Sequence, residues 1–526
     1  MPSTVDGTTA AAASPNANAV LATRVVVTPG WRCVQTTFED TGRSLCDANT
    51  ESDLEKRQVT YPSAATVQPD SFVATQAELE RIMQCHALPD KASNKVVRYL
   101  RWNFFSMYRK LFTFVLAANL VAFVVFLSQL RHNSSVVTYG NAATAASANF
   151  CAGILMRNEH VVNLLFRLAV CIPRRAPLFI RRQAAKVYSY GGIHSSCGVS
   201  GSIWYFLYCA LIINQYVSGD GLETALALTT GLTVILLLII LTFAHPHMRM
   251  RFHDHYEATH RFAGWAAVAC LWLQTMVLVS TSRIALHRSF GKVLITTPSF
   301  WFLIAITLCI IYPWTRLRSR KVQVEQLSKH ATRLHFDYVP KMETCVAVRL
   351  TDVPLKETHG FATIPNYKGT PGFSILISNA GDWTNKIITN PPARLWVKGA
   401  PTIGVMRVAL MFKPVLVIAT GSGIGPCLSL LQSHPDYQMR VIWSAQAPLT
   451  TYGSNVVTSV FRADPDAVIV DTKKTGRGNL LALAYSMYVE SKAEAVIIIS
   501  NPTVTRKVVY GLETRGVPAF GAIFDS

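Results

Sequence analysis

The stretch VLVIATGSGIGPCLSLL, residues 415–431, decides how the C-terminal part of this chain folds. Its first five residues, Val415–Ala419, form an apolar run with β character. A glycine-rich turn follows, Thr420-Gly421-Ser422-Gly423-Ile424-Gly425. Pro426 then stands where a first helical turn accepts proline, and Cys427–Leu431 reads as helix. A strand, a glycine turn and a helix N-terminus together make a seat for a dinucleotide pyrophosphate. The glycines let backbone approach the phosphates, and the free N–H groups and helix dipole attract negative charge. A tight turn with no ligand is the competing account, because the motif by itself is only moderately specific.

Downstream of this stretch, strands and helices alternate. Strands are expected at Arg440–Ser444, Ala467–Val470 and Ala495–Ser500, with helices at Asn455–Phe461, Leu480–Glu490 and Val504–Arg515. That alternation predicts a parallel, doubly wound α/β domain over residues 413–526. Upstream, residues 331–405 carry short alternating runs between Pro and Gly turns: Thr344–Leu350, Gly372–Ser378 and Arg394–Val397. They predict a β-barrel or sandwich.

Further upstream the composition changes. Half of the 526 residues are apolar and only 15% are charged, which suggests a membrane protein. Apolar stretches at Leu111–Leu130, Ala148–Ile172, Cys197–Val217, Leu226–Ala244, His260–Ser280 and Pro298–Pro313 predict a bundle of six α-helical spans within residues 91–320. Arg157, Asn158, Glu159 and His160 interrupt the second, where a structural Arg–Glu–His cluster at a helix break is the simplest account. Lys and Arg crowd the loops after the second and fourth spans and the segment Arg316–Lys321 after the sixth. Both termini are therefore expected in the cytoplasm, although Arg283, Arg288 and Lys292 in the loop after span five argue against it. The net charge of +20 sits beside apolar spans and faces anionic lipid, so the bilayer is the expected partner and nucleic acid is not. The eleven cysteines show no metal or disulfide spacing. The histidines of the loop His245–His255 lack closed zinc spacing, so no metal site is expected there. Residues 1–90 read as a disordered cytosolic tail, with a short helix at Glu78–Cys85.

This order of parts resembles the ferric reductase and NADPH oxidase superfamily, whose six helices precede a FAD-binding barrel and a ferredoxin-reductase-type NADPH domain. The strings RNEHVVNLLFR (157–167), VYSYGGIHSSCGVSG (187–201), HDHYEATHRFAGW (253–265), ISNAGDW (377–383), IIISN (497–501) and KVVYGLETRGVPAFGAIFDS (507–526) resemble the fungal integral membrane flavoproteins of the TmpA type. In some fungal proteins a similar module is fused to an adenylation domain, and no such domain is expected here.

The resemblance implies FAD and NADPH or NADH as cofactors. The superfamily's His-Pro-Phe-Thr/Ser stretch matches His359-Gly360-Phe361-Ala362-Thr363, with Gly360 in place of proline. Its pyrophosphate stretch matches Val397–Gly404, with Gly399 and Gly404 as the binding positions. Thr420, Gly421, Gly423, Gly425 and Pro426 match the nicotinamide-side turn. Where the superfamily has a cysteine at the hydride-transfer position, this chain has Ser500. Phe524 matches the terminal aromatic that stacks on the flavin, with a core phenylalanine as the alternative. The turn after Arg440–Ser444 has no arginine, so NADPH versus NADH stays open, with Arg477 a distant candidate.

The superfamily also holds two haems between its third and fifth spans. Here the inner positions carry His194 and His260, while fourteen residues on, at the outer positions, stand Tyr208 and Gln274. Either the inner pair holds one haem or it is satisfied by water and headgroups, and the latter is expected. These features point to a membrane flavoprotein passing electrons from NAD(P)H through FAD to an unknown acceptor, and the resemblance implies a role in production of a developmental signal. A sensor or scaffold with a degenerate module and a one-haem reductase are the alternatives.

Overall fold

In the computed structural model the described residues are 72–132, 138–217, 224–338, 342–366 and 370–522. All elements below lie in the second of the chain's two compact units, Val73–Ser526.

The helical part runs α1 (Gln76–Cys85), α2 (Met107–His132), α3 (Tyr139–Leu155), α4 (Glu159–Val170), α5 (Leu178–Ala184), α6 (Gly191–Val217), α7 (Thr224–Ala244), α8 (His253–Ala285) and α9 (Pro298–Thr315), with short helical turns between. Among the described residues, five helical stretches are long and apolar enough to cross a membrane: Met107–Gln129, Leu178–Asn214, Thr224–Ala244, His253–Ala285 and Pro298–Thr315. The expected second span, Ala148–Ile172, is not one helix. It is cut between α3 and α4, where Asn158 Oδ1 accepts from the backbone N–H of His160 and Val161 and so starts a new helix. The polar run at 157–160 is thus a helix boundary. A polar side chain that caps competes with the helix it would otherwise interrupt.

The first strand, β1 (Arg318–Gln326), begins thirteen residues before the expected β-region and includes Arg318, Arg320 and Lys321, which read in the sequence as a basic flank of span six. Its side chains are mostly exposed, so it lacks the apolar alternation by which strands are recognised. The remaining strands of this sheet are β2 (Ala331–Phe336), β3 (Val346–Thr351), β4 (His359–Ala362), β5 (Ile364–Pro365), β6 (Phe373–Ser378) and β7 (Arg394–Ile403), in the order β4-β3-β7-β1-β2-β6-β5. The two edge strands are consecutive pieces of one extended stretch. Val348 pairs with Phe361 on one side and Ile364 with Ser374 on the other, so residues 359–365 join both edges. A helix, α10 (Asp382–Thr389), follows β6.

The C-terminal sheet is parallel, in the order β10-β9-β8-β11-β12, with β8 (Val415–Thr420), β9 (Met439–Ala445), β10 (Val468–Asp471), β11 (Ala495–Ile499) and β12 (Ala519–Gly521). Its helices are α11 (Ile424–Ser433), α12 (Ser454–Ala463), α13 (Leu480–Glu490) and α14 (Pro502–Glu513). The order reverses between β8 and β11, which makes their carboxyl ends the switch point where α/β sheets bind ligands. The strands are buried along their length, as a sheet covered on both faces requires.

Part of the expected N-terminal tail is structured. Thr75 and Glu78 form a reciprocal capping box at the start of α1. Leu79 and Ile82 pack into the core with Ile442, Val468, Val470 and Leu483. Ala74 N–H donates to Ile469 O at 2.9 Å, and Ser486 Oγ donates to Ile82 O. The reason lies in the topology. The α13 crossover runs from the edge strand β10 to β11 and leaves the outer strands needing cover on that face, and α1 helps supply it. Only two buried side chains serve this contact, too few to show as a helical period.

Candidate functional site

At the glycine turn, β8 ends at Thr420 and residues 421–423 form a short 3₁₀ turn that leads into α11. Gly421 has φ +52, a left-handed backbone that favours glycine. Trp443 Nε1 donates to its carbonyl at 3.0 Å and anchors the turn to β9. Gly423 is required for a different reason: a Cβ there would collide with the carbonyl of Ile499. The turn is therefore pressed against the end of β11. Across that contact Thr420 Oγ1 and Ser500 Oγ lie 2.5 Å apart. Ser500 is buried, and its backbone carbonyl accepts from Thr505 Oγ1. Residues eighty positions apart are thus brought to one point at the switch of the sheet.

The same turn touches the other sheet. A Cβ at Gly425 would stand 3.3 Å from Leu376 Cβ on β6, and Ser429 Oγ accepts from Cys345 N–H at 2.7 Å. Helix α11, which contains Pro426, also packs against β4 and β5. The helix that begins at the glycine turn therefore packs directly against the stretch that carries His359 and Phe361.

His359 and Phe361 project from alternate positions of β4 onto Trp383 of α10, with ring centroids 4.2 Å and 5.8 Å away. Trp383 Nε1 donates to Asp352 Oδ1 at 3.1 Å, and Lys386 Nζ bonds the other oxygen at 2.7 Å. His359 Nε2 is buried with no hydrogen-bond partner among the described residues; the Glu357 carboxylate lies 4.0 Å off. Burial lowers the His359 pKa, against the opposing pull of Glu357, so the ring is neutral at pH 7. Thr363 is placed differently from its neighbours. Its hydroxyl donates to Val346 O, and the residue is wholly buried, so it holds the sheet and is not open to a ligand.

Gly399 and Gly404 lie at and just beyond β7. Gly399 has φ +74, and a Cβ there would meet the carboxylate of Glu159. Glu159 is 1% exposed and ion-paired with Arg349 of β3, not with Arg157 or His160 as its sequence neighbourhood suggests. His160 instead lies 2.5 Å from Tyr312 Oη. Lys398 is also buried, its Nζ 3.5 Å from the centroid of the Trp314 ring. Burial, and then the neighbouring Arg261 and Arg349, pushes its pKa down to about 8. Arg349 pairs with the buried Glu159 carboxylate, which fills the space beside Gly399, and Lys398 lies near both Arg349 and Arg261, the latter paired with Glu257 at 2.7 Å. Gly404 N–H is committed to Cys345 O at 2.8 Å.

In the helical part, His194 and His260 meet with ring centroids 6.2 Å apart, and His194 Nδ1 is 2.7 Å from Gly153 O. Tyr208 and Gln274 are buried farther along α6 and α8. Gln274 Nε2 donates to Tyr205 Oη at 2.7 Å, which binds the helices together. Among the described residues no three His, Cys, Asp or Glu side chains form a metal-binding group. Phe524 lies outside the described residues.

The residues that sequence reasoning left unassigned are Trp383, Arg349 and Lys398. Trp383 was visible within the string ISNAGDW. The two cations had no signal, because only the sheet register sets Arg349 opposite Lys398.

Residues 405–526 match the family described as the C-terminal domain of Adenylate-forming reductase 03009. The chain is 42% identical over 471 residues to Adenylate-forming reductase 03009 of Coprinopsis cinerea, a match covering 88% of this chain and 45% of that protein. Adenylate-forming reductase 06235 of the same organism is 40% identical over 463 residues, covering 87% and 44%. The chain thus spans just under half the length of the curated relatives it matches. Among solved structures, a flavohemoglobin from Malassezia yamatoensis is 12% identical, covering 74% of this chain and 97% of that one, at a TM-score of 0.35. A TM-score of this size does not establish a common fold.

Proposed function

We propose that this chain is a membrane-embedded flavoprotein reductase that takes electrons from NAD(P)H through FAD to an unidentified acceptor. The carrying observation is the junction of Thr420 and Ser500 at the sheet's switch point, on a turn packed against the strands that present His359 and Phe361. That arrangement suits a nicotinamide and a flavin meeting between the two sheets. The residues present fit FAD: among the described residues His359 Nε2 lacks a partner, Arg349 and Lys398 lie beside Gly399, and Arg261 lies near Lys398. Backbone N–H groups and these cations would hold the pyrophosphate, while His359, Phe361 and Trp383 would orient the ring system. FAD supplies hydride acceptance and onward electron transfer. Gly421, Gly423 and Gly425 position the dinucleotide, and the Ser500 and Thr420 hydroxyls hold polar contacts beside its nicotinamide end. Ser500 is less polarizable than the superfamily's cysteine, which favours slow transfer.

Outward-facing apolar side chains support a bilayer setting. Phe114, Leu120, Val121 and Val124 on α2 and Leu228, Ile235 and Leu238 on α7 are all exposed. The closure of the first sheet through residues 359–365 supports reading it as the flavin-binding barrel. The reductase names of the relatives agree with an oxidoreductase, and the TmpA-type resemblance extends the reading to handling of a developmental signal.

A second reading has its own observation. His194 and His260 face each other closely enough to grip one haem from opposite sides. An absorption spectrum of detergent-purified protein, before and after NADPH or NADH, tests both. A flavin spectrum that bleaches on addition supports the reductase, and a colourless protein refutes it. A Soret band lost in His194→Ala and His260→Ala would establish the second reading.

A further inference from the structure

Between α1 and α2 the chain forms a strap that is fastened at both ends and bare along its middle. At one end Ala92 N–H donates to Thr514 O at 2.9 Å, Arg515 Nε donates to Pro89 O at 2.5 Å, and Lys91 Nζ lies 5.4 Å from the centroid of the Tyr510 ring. Residues 89–92 are thus tied to α14 and the turn that follows it. At the other end α2 begins, and Tyr108 Oη lies 2.7 Å from Ser195 Oγ of α6. Between these ends residues 95–104 are helical. Asn94 Oδ1 accepts from Val97 N–H at 2.9 Å at the start, and the turns widen from Tyr99 onward. No residue of this run is buried. A free helix of about ten residues is marginal in water, because nucleation orders more chain than its hydrogen bonds offset. The run therefore calls for a covering partner.

The side chains specify its chemistry. Val96, Leu100 and Phe104 recur every fourth position and make an apolar stripe, 67%, 40% and 49% exposed. Lys95, Arg98 and Arg101 lie off that stripe, and Arg109 and Lys110 follow in the first turn of α2. No Asp or Glu occurs anywhere from Lys91 to Asn158. Among the described residues none of these five cations is ion-paired. Arg101 instead lies 4.9 Å from the centroid of the Trp102 ring. An apolar stripe flanked by unpaired cations and aromatic rings matches the boundary of a bilayer. There the stripe enters the acyl region while the cations meet anionic headgroups. The stripe also runs on in sequence into α2, whose Phe114, Leu120 and Val121 are exposed along a helix long enough to span.

We propose that residues 95–110 form an interfacial anchor that binds anionic phospholipid headgroups on the membrane face nearest the α/β domain. The proposal rests on the reading of this chain as membrane-embedded. Because residues 89–92 are tied to α14, lipid held by the strap also holds the α/β domain against that face. The apolar stripe supplies a part of the anchoring that neutral lipid can satisfy. The cations supply a part that needs negative headgroups and is screened by salt.

The test uses the full chain in lipid nanodiscs, either of phosphatidylcholine alone or with about 30% phosphatidylserine. Chymotrypsin cuts after Tyr99, Leu100, Phe104 and Phe105, so it reads access to the strap. Cleavage there should be about fivefold or more slower in the phosphatidylserine discs at about 0.1 M salt. The difference should fall below about twofold at about 1 M salt, where the screening length is about 3 Å. Lys95→Gln, Arg98→Gln and Arg101→Gln combined should likewise bring it below about twofold, with cleavage in pure phosphatidylcholine discs and elsewhere in the chain unchanged. The salt comparison needs no variant to fold. Equal cleavage in the two kinds of disc, a difference that survives high salt, or equal protection by inorganic phosphate in detergent overturns the proposal. If the protein enters neither disc, the membrane reading falls and takes the proposal with it, a result distinguishable from equal cleavage in both.

Discussion

Lys398→Met should make this protein more stable and yet poorer in flavin. Lys398 lies on β7, 8% exposed, with its pKa lowered from an ordinary 10.5 to about 8, chiefly by burial. Below pH 8 the group is charged in both folded and unfolded chains, and the folded state bears the whole cost of the buried charge. Between pH 8 and 10.5 the folded chain has released the proton while the unfolded chain retains it, so stability rises with pH. The shift corresponds to about 3 kcal/mol. Attraction of the ammonium to the Trp314 ring, 3.5 Å from its centroid, offsets about 1–2 kcal/mol of that. Methionine keeps the volume and removes the charge, so a net gain of about 1–2 kcal/mol is expected at neutral pH. The gain should shrink to under about 1 kcal/mol at pH 10, where the native lysine is already neutral. Thermal unfolding of both proteins in detergent at pH 7 and pH 10 measures this. FAD retention on gel filtration should fall, because the cation beside Gly399 is lost. A variant less stable than the parent at pH 7, a gap that does not close with pH, or undiminished flavin would refute the reasoning.

Three further predictions concern the cleft and its supports. Gly423→Ala should cost about 1–3 kcal/mol and abolish NADPH binding, because its Cβ meets the Ile499 carbonyl. Gly421→Ala, with φ +52 but its nearest neighbour Tyr452 Oη at 3.6 Å, should cost about 1–2 kcal/mol of strain and retain binding; equal loss in both would count against this account of the turn. Arg181→Ala removes a 5%-exposed guanidinium that makes two bonds to Glu494, at 2.7 and 2.8 Å, and one to Met411 O, at 2.9 Å. A loss of about 3–5 kcal/mol and faster proteolysis between the helices and the α/β domain are expected, and an unchanged digestion rate would contradict them. Ser500→Cys should weaken the contact to Thr420 and raise the rate of flavin reduction by NADPH in stopped flow; a slower rate would remove the polarizability argument.

The C-terminal domain was legible because its apolar strand runs alternate with helical stretches in a regular order. Expected and observed boundaries there differ by only a few residues, and Leu480–Glu490 coincides. The helical part was legible by length and hydropathy except at residues 157–160, where a capping asparagine looks the same in sequence as a polar residue buried in a span. β1 was hidden because an exposed, charged strand takes its identity from its partners β2 and β7, not from its own pattern. Phe361 and His359 were nameable as a pair, but the sheet and α10 together put Trp383 against them.

By itself the sequence determined what is local: apolar spans long enough for a bilayer, a glycine turn between a strand and a helix, and serine at position 500. These follow from composition, period and backbone freedom over a few residues. The tertiary structure decided every long-range meeting. It joined Thr420 to Ser500 across eighty residues, set Glu159 against Arg349 and Gly399, and laid α1 on β9 and β10. Such contacts arise from strand order and from which face a crossover leaves bare, and neither is written in any single stretch of chain.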